Sequence, residues 1–461
     1  MQPMRPGYRL ATSVIAVLLA VGLAPPAEAQ GAAATTLTMT GARQYADRVT
    51  TLRIDLNDDA GPVMAQVVVE RRVSGAWTFF GTAMTNPAGH AALDAELSRR
   101  ATDNVFRATS TAGPSRTGPV QVALRKRNSR VTVGGPKSVV DEKTVPIRVR
   151  WLAGNGTAVP GTVLVHRRSA GGKWRLAARL RTGNDGRAQV TVKPRSDTRW
   201  RAIGKGRDWV KGDRSRVHAV DNLPPGVPVR LPRNAPRPRI NLPDQPYAVG
   251  QGPNAAITRI PNGVWNQMTG RTWHRGCPVG RAGLRYVRIN YWDYRGYRRR
   301  GELVAAAGAA DNMAGALAEM YRKKLPIRAM YRVDRFGWSR RLHGGDDYAS
   351  MAAGNTSAFN CRQVVGSPGR RSPHSYGRSL DVNTWENPYR SAQGTVPNTW
   401  WMRHSHARVA WRSRSHRVVR VMAAHGLRWT YGNGDTQHFD VRGGQGRLVA
   451  RWGDCGGFAC K

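Results

Sequence analysis

The stretch VVVERRVSGAWTFFGTAMTNPAGHAAL, residues 67–93, alternates apolar and polar residues in short runs broken by Gly, Asn and Pro. That rhythm predicts antiparallel strands joined by tight turns, because successive side chains of a strand point to opposite faces. It is also written twice. The stretch VLVHRRSAGGKWRLAARLRTGNDGRAQV, residues 163–190, places Trp174 where the first has Trp77, and Gly186 where the first has Gly89. Further on, Trp200-Arg201-Ala202 answers Phe106-Arg107-Ala108. Two copies rich in short strands predict two all-β sandwich modules of the immunoglobulin type, over residues 30–127 and 128–220. Neither carries a catalytic cluster, so both read as spacers or surface-attachment modules.

Working outward, residues 1–29 hold Arg5 and Arg9, then the apolar run LATSVIAVLLAVGLA, then Ala27-Glu28-Ala29 before Gln30. A basic start, a short apolar core and a small-x-small site predict a cleaved secretory signal and an exported, extracellular or surface-associated protein; a retained N-terminal anchor is the alternative. No later stretch is apolar enough to span a bilayer. Beyond the repeats, NLPPGVPVRLPRNAPRPRINLPDQP (222–246) is too rich in proline for a helix or a central strand and predicts a linker over 221–255. A last domain then occupies 256–461, where Trp, His and Cys concentrate. Its Gly301 to Lys324, rich in Ala, Leu and Met with Pro326 just beyond, predicts a helix.

The net charge of +44 raises the prospect of nucleic-acid binding. The excess divides evenly, +22 in residues 251–461 and +22 before them, and no helix-turn-helix or RNA-binding signature accompanies it. For an exported chain the same charge suits anionic cell-wall polymers or membrane surfaces. Four cysteines, Cys277, Cys361, Cys455 and Cys460, predict two disulfides in an oxidising compartment, and of the three connectivities we favour Cys277 with Cys361 and Cys455 with Cys460.

Chemistry concentrates in two places. SPHSYGRSLDVN (372–383) holds His374 and Asp381, and YGNGDTQHFDV (431–441) holds Asp435 and His438. Two imidazoles, one carboxylate ligand and one nearby free carboxylate are what a zinc hydrolase needs, the free carboxylate taking the proton of an attacking water. His404 and His406 have no accompanying carboxylate and read as surface or supporting residues. Trp385, Asn387, Pro388 and Tyr389 read as groove or core.

The order Ser-x-His-x-x-Gly-x-Ser-x-Asp followed by Asp-x-x-His-Phe resembles the VanY-like D-alanyl-D-alanine carboxypeptidases, zinc peptidases among which are L-alanyl-D-glutamate endopeptidases. The resemblance extends over roughly residues 270–445 and includes LPIRAM (325–330) and DDYASMAAGNTSAFNCR (346–362). It implies an α+β zinc peptidase domain that cuts peptidoglycan stem peptides. It further implies His374, Asp381 and His438 as zinc ligands, Asp435 as general base, Arg362 on the substrate carbonyl or oxyanion, and Ser372 in positioning the site. Asp rather than Glu at 435 resembles the endopeptidase branch. Two other readings remain at this point: a peptidase-like fold that binds wall without cleaving, and a charge-driven polyanion binder.

Overall fold

The computed structural model describes residues 34–240 and 242–441. The signal segment 1–29, Cys455 and Cys460 lie outside these residues.

The fold is mostly β, with many sheets. Alternation sets which side of each strand is buried. In Val49–Asp58, Leu52, Ile54 and Leu56 are buried while Thr51 and Arg53 are exposed, as a sheet with one wet face requires. Thr36–Gly41 and His90–Glu96 flank that strand, both antiparallel to it. A second sheet centres on Gln66–Val73, between Ala76–Met84 and Val105–Ser110. The same order recurs downstream. Val145–Ala153 lies between Ser129–Gly134 and Arg187–Val192, and Gly161–Ser169 lies between Arg175–Thr182 and Thr198–Gly204. The glycine shared by the two sequence copies does one job in both. Gly89 and Gly186 sit at φ +75° and +70°, and a Cβ there would lie 2.5 Å from Leu56 O and 2.4 Å from Trp151 O.

The proline-rich segment lies along the C-terminal region. Val229 N donates to Tyr294 O at 2.8 Å and Arg300 N to Pro246 O at 2.7 Å. Buried Gln245 bridges the Met330 backbone, accepting from Met330 N at 2.8 Å and donating to Met330 O at 2.5 Å.

In the C-terminal region, strands Ala256–Thr258, Leu284–Trp292 and Arg298–Ala306 form an antiparallel sheet. Helix Ala310–Arg322 packs on it, burying Met313, Ala314 and Leu317 beside Val287, Ile289 and Leu303. The expected helix from Gly301 is therefore corrected: the chain stays extended to Ala306, with Leu303 paired to Val287 and Ala305 to Arg285. Ala, Leu and Val suit either state, and the partner strand decides. Helix Arg417–Ala424 buries Val418, Val419, Val421 and Met422 in the same core.

Candidate metal centre

Two short strands carry the centre. Ser379–Asp381 and His438–Val441 run antiparallel, with Asp381 opposite His438, Leu380 opposite Phe439 and Ser379 opposite Asp440. The two-residue period puts Leu380 and Phe439 in the core and sends Asp381, His438 and Asp440 to the other face. His374 arrives on the 3-10 turn Pro373–Tyr376. Ser372 caps that turn, its hydroxyl accepting from His374 N at 3.3 Å. Gly377 ends it at φ +67°, where a Cβ would lie 2.6 Å from Ala306 N. The His-x-x-Gly spacing thus reflects a turn pressed onto a neighbouring strand.

The donor atoms converge. His374 Nε2 lies 3.1 Å from Asp381 Oδ2 and 3.2 Å from His438 Nδ1, and His438 Nδ1 lies 3.1 Å from Asp381 Oδ1. All three residues are buried, with their ligand atoms within 4.8 Å of one another. The remaining ring nitrogens are occupied: His374 Nδ1 donates to Ala358 O at 2.6 Å, and His438 Nε2 to Asp440 Oδ1 at 2.9 Å. Those two bonds select the tautomers that leave His374 Nε2 and His438 Nδ1 with lone pairs aimed at Asp381. Two imidazole lone pairs and a carboxylate directed at one point repel one another unless a cation or protons sit between them. The set fits a zinc ion and leaves a coordination position for water.

Without a cation, protons hold the trio together. Burial would raise the Asp381 carboxyl, yet His374 and His438 hold it well below the usual carboxylate range. Burial would depress His438, yet Asp381 and Asp440 push it well above an ordinary imidazole. Asp440 is itself held low, against burial, by His438, Ser379 and Thr430. Ser379 Oγ donates to its Oδ1 and Thr430 Oγ1 to its Oδ2, both at 2.6 Å.

A cavity of about 460 Å³ opens onto this centre, lined also by Asp435, Arg362, Ser372 and Tyr389. Asp435 Oδ1 is buried with no hydrogen-bond partner among the described residues. Burial, with Asp381 adding to it against the pull of His438, pushes the Asp435 carboxyl up to about 7. Arg362 is anchored by Asp347, Nη2 to Oδ2 at 2.6 Å, while its Nε is buried without a partner among the described residues. The Cys277–Cys361 disulfide, S–S 2.12 Å, fixes the residue beside it. His274 lies near that pair, but the two sulfurs are bonded to each other and form no metal centre.

The sequence reading missed three members of the site: Asp440, Asp347 and the Ala358 carbonyl. Asp440 had a signal, since residues two apart on a strand share a face and it follows His438 by two. Asp347 and Ala358 had none, because long-range folding brings them in. His404 stacks on Trp400 with ring centroids 3.6 Å apart and His406 closes a turn with Ala410; neither lines the cavity. Of the aromatic stretch, Tyr389 lines the cavity, while Trp385 and Asn387 are buried in packing and backbone hydrogen bonds.

Residues 365–441 match the model of a family described as D-alanyl-D-alanine carboxypeptidase, the family that the motif order resembles. That match supports a peptidoglycan-related peptidase at the level of the family. No curated protein matches the chain. Among solved structures, the tetra-tandem repeat from the extending region of a large adhesion protein is similar at 14% identity, covering 59% of this chain and 74% of its own, with a TM-score of 0.30. The native E. coli alpha-2-macroglobulin is similar at 10% identity over 56% of this chain, with a TM-score of 0.20, and the chain spans only 18% of its length. A marsupial T cell receptor is similar at 9% identity, covering 58% of this chain and 99% of its own, with a TM-score of 0.23.

Proposed function

We infer that the protein is an exported zinc peptidase that hydrolyses stem peptides of bacterial peptidoglycan, carried to its substrate by two immunoglobulin-like modules. The observation that carries this reading is the pairing, in one cavity, of a convergent His374–Asp381–His438 donor set with buried groups that lack partners among the described residues, above all the Asp435 Oδ1 acceptor and the Arg362 Nε donor. His374, Asp381 and His438 would hold the zinc, which when bound acidifies a water and polarises the scissile carbonyl. Asp435 takes the proton of the attacking water and delivers it to the leaving amine; a carboxyl raised toward neutrality is matched to both halves of that transfer. Arg362 donates to the oxygen on which negative charge develops, and its ion pair with Asp347 keeps the guanidinium from having to reorient. Ser372 fixes the turn that presents His374. Exposed Arg370 and Arg371, at the cavity mouth, attract the anionic ends of stem peptides.

The test is incubation of purified protein with peptidoglycan and synthetic stem peptides, with and without a chelator, read by mass. Chelator-sensitive fragments support the reading and identify the bond, with L-alanyl-D-glutamate the expected one. Tight wall binding by zinc-loaded protein with no fragments at all would replace it with a non-catalytic wall-binding protein.

A further inference from the structure

The two sequence copies share a framework but not a surface. The strands of the first, residues 36–125, hold 10 Lys plus Arg against 8 Asp plus Glu; those of the second, residues 129–223, hold 21 against 7. The even split of charge between the halves of the chain hides this concentration.

One position shows the change most clearly. In the first copy, Asp55 faces His90 across the sheet, and the two side chains meet at 2.6 Å. In the second copy, the same place in the ladder, one residue past the shared glycine, sets Arg150 directly opposite Arg187. Arg148 lies two residues before Arg150 on the same face. All three are exposed, and none is in an ion pair among the described residues. Like charges directly opposite each other on a sheet are destabilising, so the fold bears a cost here that an anionic occupant would relieve.

The face is also shaped for an occupant. Arg148, Arg150 and Arg187 line a groove of about 520 Å³ with Thr132, Gln189 and the Gly134–Gly135 backbone. Alternate residues of a strand lie roughly 6.6 Å apart and facing residues on neighbouring strands about 5 Å apart, so the three guanidinium groups address successive anions of a repeating chain. Guanidinium forks suit phosphate oxygens, which they grip in pairs. No aromatic side chain lines the groove, so it offers no platform for stacked bases.

We propose that this groove of the second repeat is a docking surface for a linear phosphodiester polyanion without bases. The proposal is independent of the peptidase reading, since it concerns a surface in another part of the chain.

The test uses the full chain, labelled poly(glycerol phosphate) as the probe, and single-stranded DNA of equal charge as comparator, all followed by anisotropy. Neutralising three phosphates, at the single-strand slope of about −0.7 per phosphate, predicts binding weaker by roughly tenfold or more between 50 and 200 mM salt. The triple variant Arg148→Gln, Arg150→Gln, Arg187→Gln should lose at least tenfold in affinity and flatten that salt slope. Arg53→Gln, the matching position of the first repeat, should change nothing. Arg150→Asp, which recreates the charge pairing of the first repeat, should abolish binding while leaving the thermal midpoint equal or higher, so that lost binding is not lost folding. Wild-type affinity in the triple variant would overturn the site. Preference for DNA over the phosphodiester polymer would overturn the choice of partner.

Discussion

The cavity of the C-terminal region and the groove of the second repeat handle charge in opposite ways. Around the metal centre nearly every charged or polar group has a fixed counterpart: Arg362 has Asp347, His438 has Asp381 and Asp440, and Asp440 has Ser379 and Thr430. The exceptions among the described residues are Asp435 Oδ1, Arg362 Nε and Gln437 Oε1, all buried and all on residues that line the cavity. In the groove three arginines have no ionic counterpart among the described residues, and they are exposed. A buried group without a partner forfeits its solvation, and one on the wall of a cavity is open to a ligand that supplies the missing bond; an exposed one costs little and answers to concentration and salt. The lesson is that an unpaired group matters where it borders a cavity or groove, and that burial decides how much an occupant gains by pairing with it.

The comparison breaks first at the ligands. His374→Ala removes one of three donors and leaves Asp381 and His438 an incomplete site. Zinc content after equilibration in a zinc buffer should fall from one per chain to near zero, and stem-peptide cleavage should drop to background. Retained zinc with full turnover would mean that this trio is a structural ion cluster.

Asp435→Asn comes next. It keeps shape and burial and removes the proposed base, so turnover should fall by roughly 10²–10⁴-fold at unchanged zinc content. A parallel loss of zinc would reassign Asp435 to the metal.

Asp440→Asn should do less. His438 keeps a hydrogen-bond acceptor but loses the charge that holds its ring, so zinc affinity measured against a competing chelator should weaken by roughly 10–100-fold, with turnover returning as free zinc is raised. Turnover that stays low at saturating zinc would place Asp440 in the reaction itself.

The groups these variants probe were unevenly legible in the sequence. His374, Asp381, Asp435 and His438 stood out because short turns and strands impose fixed spacings, and Leu380 opposite Phe439 explains why a histidine and an aspartate 57 residues apart meet face to face. Trp77 and Trp174, Gly89 and Gly186 gave away the repeated strands for the same reason. What depends on distant partners stayed hidden. The residues from Gly301 to Ala306 looked helical because nothing nearby announced the strand Leu284–Trp292 that claims them. Proline marked 221–255 as extended, but Gln245 and its grip on Met330 are a tertiary matter. The arginine groove required register: only the pairing of Val145–Ala153 with Arg187–Val192 shows that Arg150 meets Arg187 where Asp55 meets His90.

The smallest expected effect tests the pairing rule itself, on the other sheet. In the first repeat Glu70 faces Arg107, bound at 2.5 Å, with Arg107 lying over the Trp77 ring; in the second, His166 faces Arg201, which lies over Trp174. The hydrogen bond from Arg107 holds the Glu70 carboxyl below its ordinary value, against the opposing effect of burial. A carboxyl lowered in the folded state contributes stability above its unfolded value, and that contribution is lost as pH falls through the folded one. Glu70→Gln should therefore cost about 0.2–1 kcal/mol near pH 7, the range for a partly exposed pair, and the difference from wild type should shrink below about pH 4 and vanish once Glu70 is protonated in the folded chain. His166→Glu should show the reverse: it gives Arg201 the partner that the first repeat supplies, so the thermal midpoint should rise at pH 7, and the part of the gain owed to the carboxylate should be lost once it is protonated in acid. If His166→Glu gains nothing where Glu70→Gln loses, the stacked Trp174 already satisfies Arg201, and the excess of basic residues in the second repeat is a matter of surface potential alone.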